Sequence, residues 1–218
     1  MPAHLIGLSV STLMGALGVA LSVAFTVPQL RRLRRDGSPA GVSLTGLANS
    51  SVSLAAWTAY GVVHARGWVV ASSVAAGPAT LATLVLGVRA GAPRARLAVP
   101  ALWGGLLAGV ACLDVLTGRR LLDVALGLSI AWLVVPAAVA AWRSTDVSGI
   151  AASTWWVLAA EGVVFGVYGS TGHVYADAVY GVAALAGAAV VLTRLALPAA
   201  VVARWSATVP PDRVELAA

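Results

Sequence analysis

Residues 27–35 read VPQLRRLRR, and residues 57–61 read WTAYG. The unit that joins them returns 108 positions later: Pro28 maps to Pro136, Arg35 to Arg143, Gly41 to Gly149, Val42 to Ile150, Tyr60 to Tyr168 and Gly61 to Gly169. Each copy places a proline near the end of one apolar segment. A short basic loop follows, then a second apolar segment that closes on Tyr-Gly. A repeated, interrupted apolar unit of this kind points to a two-halved membrane carrier rather than to a soluble fold.

Composition extends that reading to the whole chain. Of 218 residues, 60% are hydrophobic and 10% charged. Seven apolar runs of about 20 residues are each long enough to cross a hydrocarbon core of roughly 30 Å. They cover residues 5–30, 42–63, 68–88, 97–117, 121–142, 149–169 and 174–197. The expected fold is an all-α membrane protein whose seven transmembrane helices form two parallel triple-helix bundles joined by a linker helix (3+1+3). An odd number of crossings per repeat would invert the second bundle, and one extra crossing restores the parallel orientation. The corresponding units are a first bundle at 1–90, a linker helix at 91–118, a second bundle at 119–198 and a cytoplasmic tail at 199–218.

The net charge of +6 does not indicate a nucleic-acid partner, because the arginines sit in alternate loops. Eleven of the 14 fall on one side, and only Arg66, Arg119 and Arg120 on the other. This positive-inside bias predicts a multi-pass protein of the cell membrane, such as a bacterial inner membrane, with the N-terminus outside and the C-terminus in the cytoplasm. The Arg31–Arg35 run is a stop-transfer flank, so the first segment reads as a span and not as a cleaved signal. The chain contains no lysine, which excludes a retinal Schiff base. The lone Cys112 allows no disulfide within the chain. His4, His64 and His173 have no metal-ligand spacing. No nucleophile–base pair appears within the apolar segments, so the chain does not read as an enzyme, and no cofactor or metal is expected.

The second segment carries the polar inventory. Asn49, Ser53, Trp57 and Tyr60 are spaced four, four and three, which stacks them on one helix face. Asn49 is the only asparagine and Gln29 the only glutamine. An asparagine facing lipid is costly unless paired, so this face should look inward. The second copy places Val157, Glu161, Phe165 and Tyr168 at the same positions. Trp57 and Phe165 at matching depth suit the apolar face of a small flat solute, with polar neighbours fixing its orientation. Glu161 reads as the one acidic residue in mid-span, which makes it a candidate for solute contact or proton coupling. Asp114, Asp123 and Asp177 fall near outer helix ends, within reach of water. Asp36 and Asp146 fall among arginines that can pair with them. Small residues around Gly15, Gly18, Ala20 and Ser22 permit close helix packing. Pro28 and Pro136 each remove one backbone donor from a helix and read as hinges.

Pro28-Gln29, the arginine-rich loop, Gly41-Val42-Ser43-Leu44 and Trp57-x-x-Tyr60-Gly61 resemble the PQ-loop superfamily. That superfamily includes the SWEET and SemiSWEET sugar transporters, the cystinosin-like exporters and the KDEL receptors. The 3+1+3 order resembles a SWEET-type protein over nearly the whole chain, and the second copy departs from the motif with Pro136-Ala137. The resemblance implies facilitated transport of a sugar by alternating access, with the solute held between the bundles. It places Trp57 at the family's pocket tryptophan and Phe165 at its repeat partner. It also places Pro28 and Pro136 at two of the four pivot prolines, while Val63 and Thr171 stand where the other two would be. The pocket asparagines of the third helices correspond to Ser73 and Gly181, with Ser72 and Tyr180 the nearest polar groups. The cystinosin-like aspartate falls near Trp156.

The expected substrate-binding set is therefore Asn49, Ser53, Trp57, Ser73, Glu161, Phe165 and Tyr180. Pro28, Gln29, Pro136, Tyr60 and Tyr168 form the expected hinge and gate. The partners are a small solute and the lipid bilayer, and self-association into a homo-oligomer stays open. Two alternatives stand beside the sugar carrier. One is a proton-coupled carrier of an amino acid or other metabolite working through Glu161, and the other is a KDEL-receptor-like binding protein.

Overall fold

The computed structural model describes residues 9–37, 43–91, 97–143, 147 and 150–198. His4, Gly41, Val42, Asp146, Gly149 and the expected tail at 199–218 lie outside the described residues.

Helix α1 (Val10–Asp36) starts at Ser9, whose Oγ accepts from the Thr12 amide. It ends at Gly37, which takes a left-handed φ of 63° and donates its N–H to the Leu33 carbonyl. The basic stretch expected as a loop is thus the last part of α1. Arginine is a good helix former, and cations are favoured beside the exposed carbonyls of a helix C-terminus. Helix α2 (Leu44–Val63) is capped by Ser43, whose Oγ accepts from the Gly46 amide at 3.1 Å. Helices α3 (Gly67–Arg89) and α4 (Ala98–Thr117) follow. The apolar run expected as one helix is divided into α5 (Leu121–Gly127) and α6 (Ala131–Arg143) by a 3₁₀ turn at Leu128–Ile130. Helices α7 (Ala152–Gly172) and α8 (Tyr175–Ala196) complete the chain, and no strand occurs among the described residues.

The protein is all-α. Five helical segments are long and apolar enough to cross a membrane: α1, α3, α4, the α5–α6 stretch and α8. Helices α2 and α7 have 20 and 21 residues, or about 30 Å. They stand outside that set, and they are the two that carry the predicted polar face. Large apolar side chains project outward from several elements, among them Val74 of α3, Leu102 of α4 and Val182 of α8. An outer surface so rich in Val and Leu belongs in a bilayer, where helices satisfy their own backbone groups.

Helix α3 packs against both α1 and α2, and α8 packs against both the α5–α6 stretch and α7. Helix α1 meets α7, α2 meets α5 and α6, and α4 lies against α2 and α5. Helix α4 buries only Pro100, Trp103 and Leu107.

The repeat is visible in the backbone. Ala65 (φ 53°) and His173 (φ 55°) are the non-glycine residues with positive φ among those described. They are 108 positions apart, at matching tight connections between helices. The repeated Tyr-Gly has a steric cause just before those turns. A Cβ on Gly61 would lie 3.1 Å from the Val70 amide and 3.3 Å from the Arg66 carbonyl. At Gly169 a Cβ would run into the Ala178 amide and lie 2.8 Å from the Val174 carbonyl. Val70 and Ala178, like Arg66 and Val174, are repeat partners. Glycine is required here because the backbone of the next helix begins where a side chain would be.

Candidate functional site: a cavity between the repeated helices

A cavity of about 340 Å³ lies among α1, α2, α3, the 3₁₀ turn, α6, α7 and α8. Asn49, Ser53, Trp57 and Ser73 line it from the first copy, and Glu161, Phe165 and Tyr180 from the second. All seven residues assigned to solute binding are therefore gathered around one space. Its volume lies within the range of small-molecule sites.

The rings form its apolar wall. Trp57 and Phe165 both pack edge-on against Tyr180, with centroids 6.2 Å and 5.4 Å away and planes at 89° and 82°. Gly18 makes room for the Phe165 ring, since a Cβ there would sit 3.0 Å from Cε1. Polar contacts surround the cavity at this depth, and two of them join the copies, Trp57 to Ser129 and Ser22 to Glu161. Trp57 Nε1 donates to Ser129 Oγ at 3.3 Å. Ser22 of α1 donates to Glu161 Oε1 at 3.2 Å, and the Tyr180 hydroxyl donates to Glu161 Oε2 at 3.3 Å. Both oxygens of this buried carboxyl are thus held by hydroxyl donors. Ser53 Oγ accepts from Trp103 Nε1 at 2.9 Å, which fastens α4 to the polar face of α2.

The cavity reaches toward the arginine-rich end, where Gln29, Ser43, Gly46 and Thr83 line it. At the opposite end it stops short of Tyr60 and Tyr168, which are buried in an apolar cluster with Trp57, Phe165, Val69 and Val174. Tyr60 stacks on His64 with centroids 4.4 Å apart. Above them Arg66 donates to the Gly172 carbonyl at 3.1 Å and the His173 carbonyl at 3.4 Å. These bonds tie the α2–α3 connection to the α7–α8 connection.

Several expectations are corrected. Asp123 and Asp177 are not open to water: they are 9% and 3% exposed. At that end of the helices Tyr60, Tyr168 and Val174 are buried in one apolar cluster. The Tyr60 phenol faces Asp123. Asp177 lines the cavity, and its Oδ2 has no hydrogen-bond partner. Glu161 is therefore not the only buried acid. The cue available in sequence was the three-residue step from Asp177 to Tyr180, which puts both on one face of α8. Ser22, read as a packing residue, is a Glu161 partner. Pro28 and Pro136, the expected hinges, are both exposed and neither lines the cavity. Gln29 does line it. A third proline, Pro78, lies inside α3 between the lining residues Ala76 and Thr80. It leaves the Val74 carbonyl without its helical donor. Asp36 pairs with Arg35 at 2.8 Å, as the sequence suggests.

No group of three or more His, Cys, Asp or Glu converges on a metal position among the described residues. The chain matches no protein-family model, and no curated protein matches its sequence. The chemistry of the cavity must therefore carry the functional reading.

Proposed function

We propose that this protein is a membrane carrier for a small polar solute, working by alternating access. In this reading, residues 1–90 and 119–198 are two parallel triple-helix bundles, 91–118 holds the linker helix, and α2 and α7 span the membrane with the other helices. The observation that carries it is the cavity itself, where positions related by the repeat meet: Ser53 with Glu161, and Trp57 with Phe165. A site made jointly by two repeated halves can be exposed to one side or the other as the halves rock. The cavity reaches the arginine-rich end, while the other end is covered by tyrosines and the Arg66 bonds. The conformation is thus an inward-facing one if the arginines lie in the cytoplasm.

The resemblance to SWEET-type proteins makes a sugar the first solute class, and facilitated diffusion the mode. A proton-linked carrier is the second reading, favoured by Glu161, whose buried carboxyl bonds across the α1–α7 interface. A receptor of the KDEL type fits less well, because no basic side chain lines the cavity among the described residues.

Uptake into proteoliposomes tests the proposal, using a panel of sugars and amino acids with and without a pH gradient. Saturable uptake of one solute class is expected, and no uptake of any solute would sink the carrier reading. Orientation is tested in a Cys112→Ala background. An impermeant thiol reagent added to intact cells should label a cysteine at His173 and spare one at Ser38. The reverse pattern would invert the topology.

A further inference from the structure

The polar lining of the cavity is biased toward acceptors. The hydroxyls of α3 are turned inward upon their own helix: Ser72 donates to the Trp68 carbonyl, Ser73 to Val69, Thr80 to Ala76 and Thr83 to Ala79, at 2.7–3.1 Å. A hydroxyl that has given its hydrogen to the backbone presents only lone pairs to the cavity. The Ser22 and Tyr180 hydroxyls spend theirs on Glu161. Among the described residues, Asn49 Oδ1 and Asp177 Oδ2 are buried acceptor atoms without a hydrogen-bond partner, and both belong to residues that line the cavity. Asn49 is 4% exposed and Asp177 3%. A buried acceptor without a donor is costly, so these two positions call for hydrogen-bond donors supplied by a ligand.

Charge points the same way. Glu161 and Asp177 both line the cavity, and among the described residues no arginine or histidine does. The Arg66 guanidinium, whose field reaches Asp177, is bonded to the carbonyls of Gly172 and His173 outside the lining. Beside the carboxyls stand three aromatic rings, Trp57, Phe165 and Tyr180, meeting edge to face. Two carboxyls, bare acceptors and a cluster of ring faces are complementary to a cation that carries several N–H donors or a positively charged methylated nitrogen. A neutral polyol would bring as many acceptors as donors, and most of the hydroxyl donors that its acceptors need are already spent. An anion would meet two carboxyls. A bare metal ion finds no third carboxylate or histidine among the described residues.

We infer that the solute of this cavity carries a positively charged nitrogen, drawn by the carboxyls of Asp177 and Glu161, with its apolar part against Trp57, Phe165 and Tyr180. The inference rests on the carrier reading of the cavity and names the substrate class within it. It assigns Asp177 as a specificity residue, where the sequence reading named Glu161 as the one acid of the binding set.

Matched probes that differ in charge and little in shape test it. Equilibrium dialysis of the purified full-length protein should be run with radiolabelled choline against its uncharged carbon analogue 3,3-dimethylbutan-1-ol, and with glucosamine against glucose. The charged member of at least one pair should bind about tenfold or more tightly than its neutral partner, the scale of one desolvated cation contact. Asp177→Asn and Glu161→Gln should each reduce that preference while the unliganded protein unfolds at an unchanged temperature. Equal binding within both pairs, tighter binding of the neutral members, or no binding by any of the four overturns the inference. So does a charge preference that survives both substitutions. The proteoliposome panel separates this failure from failure of the carrier reading. Uptake of a neutral sugar would leave the carrier standing and remove the ammonium. Absence of all uptake with the charge preference intact would remove the carrier and leave a cation-binding cavity.

Discussion

The two copies of the repeat share a backbone plan and divide the chemistry. In α2 and α3 the lining positions are neutral: Ser53, Val69 and Ser72. Their partners in α7 and α8, 108 residues later, are Glu161, Asp177 and Tyr180. The first copy supplies Asn49, Phe25, Trp57 and most of the hydroxyls, and the second supplies both carboxyls with Trp132, Phe165 and Tyr180. Steric positions are kept in both copies, as Gly61 with Gly169 and Ala65 with His173 show. Positions that face the cavity have diverged. Packing against another helix admits few side chains, whereas a wall facing a space can change its charge without disturbing the fold.

The largest expected effect tests the shared plan. Gly169→Ala places a methyl against the backbone of Ala178, which cannot move without shifting α8. It should cost roughly 3 kcal/mol or prevent folding, the upper end of overpacking penalties. Gly61→Ala meets the movable Val70 side chain and a backbone amide at 3.1 Å. It should cost roughly 1–2 kcal/mol. Thermal unfolding in detergent gives both values, and equal losses would mean that the second copy is no more tightly packed than the first.

Next comes the division of charge. Glu161→Gln keeps the shape and removes the titrating group. If transport is proton-linked, it should abolish accumulation driven by a pH gradient while exchange of labelled for unlabelled solute continues. If the protein is a facilitator, the wild type should show no uphill accumulation. Ser53→Ala, the matching change in the first copy, should leave gradient dependence untouched in either case. A loss of gradient dependence in Ser53→Ala would erase the contrast between the copies.

The rings should give a smaller and more even effect. Trp57→Ala and Phe165→Ala each remove one ring–solute contact worth roughly 1–2 kcal/mol, or about tenfold in affinity. Trp57→Ala also frees Ser129, so it should be the worse of the two. Normal binding by both variants would reduce the rings to packing.

The prolines come last. Pro28→Ala and Pro136→Ala restore a backbone donor at exposed positions and should slow exchange by about two- to fivefold with affinity kept, since they act on the conformational step. The two copies again differ, because α1 runs through Pro28 unbroken while the corresponding span is already divided at Leu128–Ile130. Pro28→Ala should therefore be the slower. Unchanged exchange in the double variant would leave the repeated proline without a mechanical role, and would point to the 3₁₀ turn instead.

By itself the sequence determined what local periodicity and the repeat can specify. Apolar run lengths and the 108-residue offset place the helices, and the four-four-three spacing puts Asn49, Ser53, Trp57 and Tyr60 on one face. Repeat arithmetic then reaches Glu161 and Phe165. Those residues are legible because a helix face is set by spacing within one element. Tertiary structure alone decided what depends on two elements meeting. Nothing local links Ser22 to Glu161 across 139 positions, or Trp57 to Ser129 across 72. Asp177 sits in the first turn of its helix, where spacing alone suggests contact with water. Only the packing of the assembled helices at that end, where Tyr60, Tyr168 and Val174 are also buried, buries it. The 3₁₀ turn at Leu128–Ile130 likewise lies in an uninterrupted apolar run with no glycine or proline inside the turn to mark it. Burial and partnership are properties of the assembled helices, and in this protein they decide which acids the cavity holds.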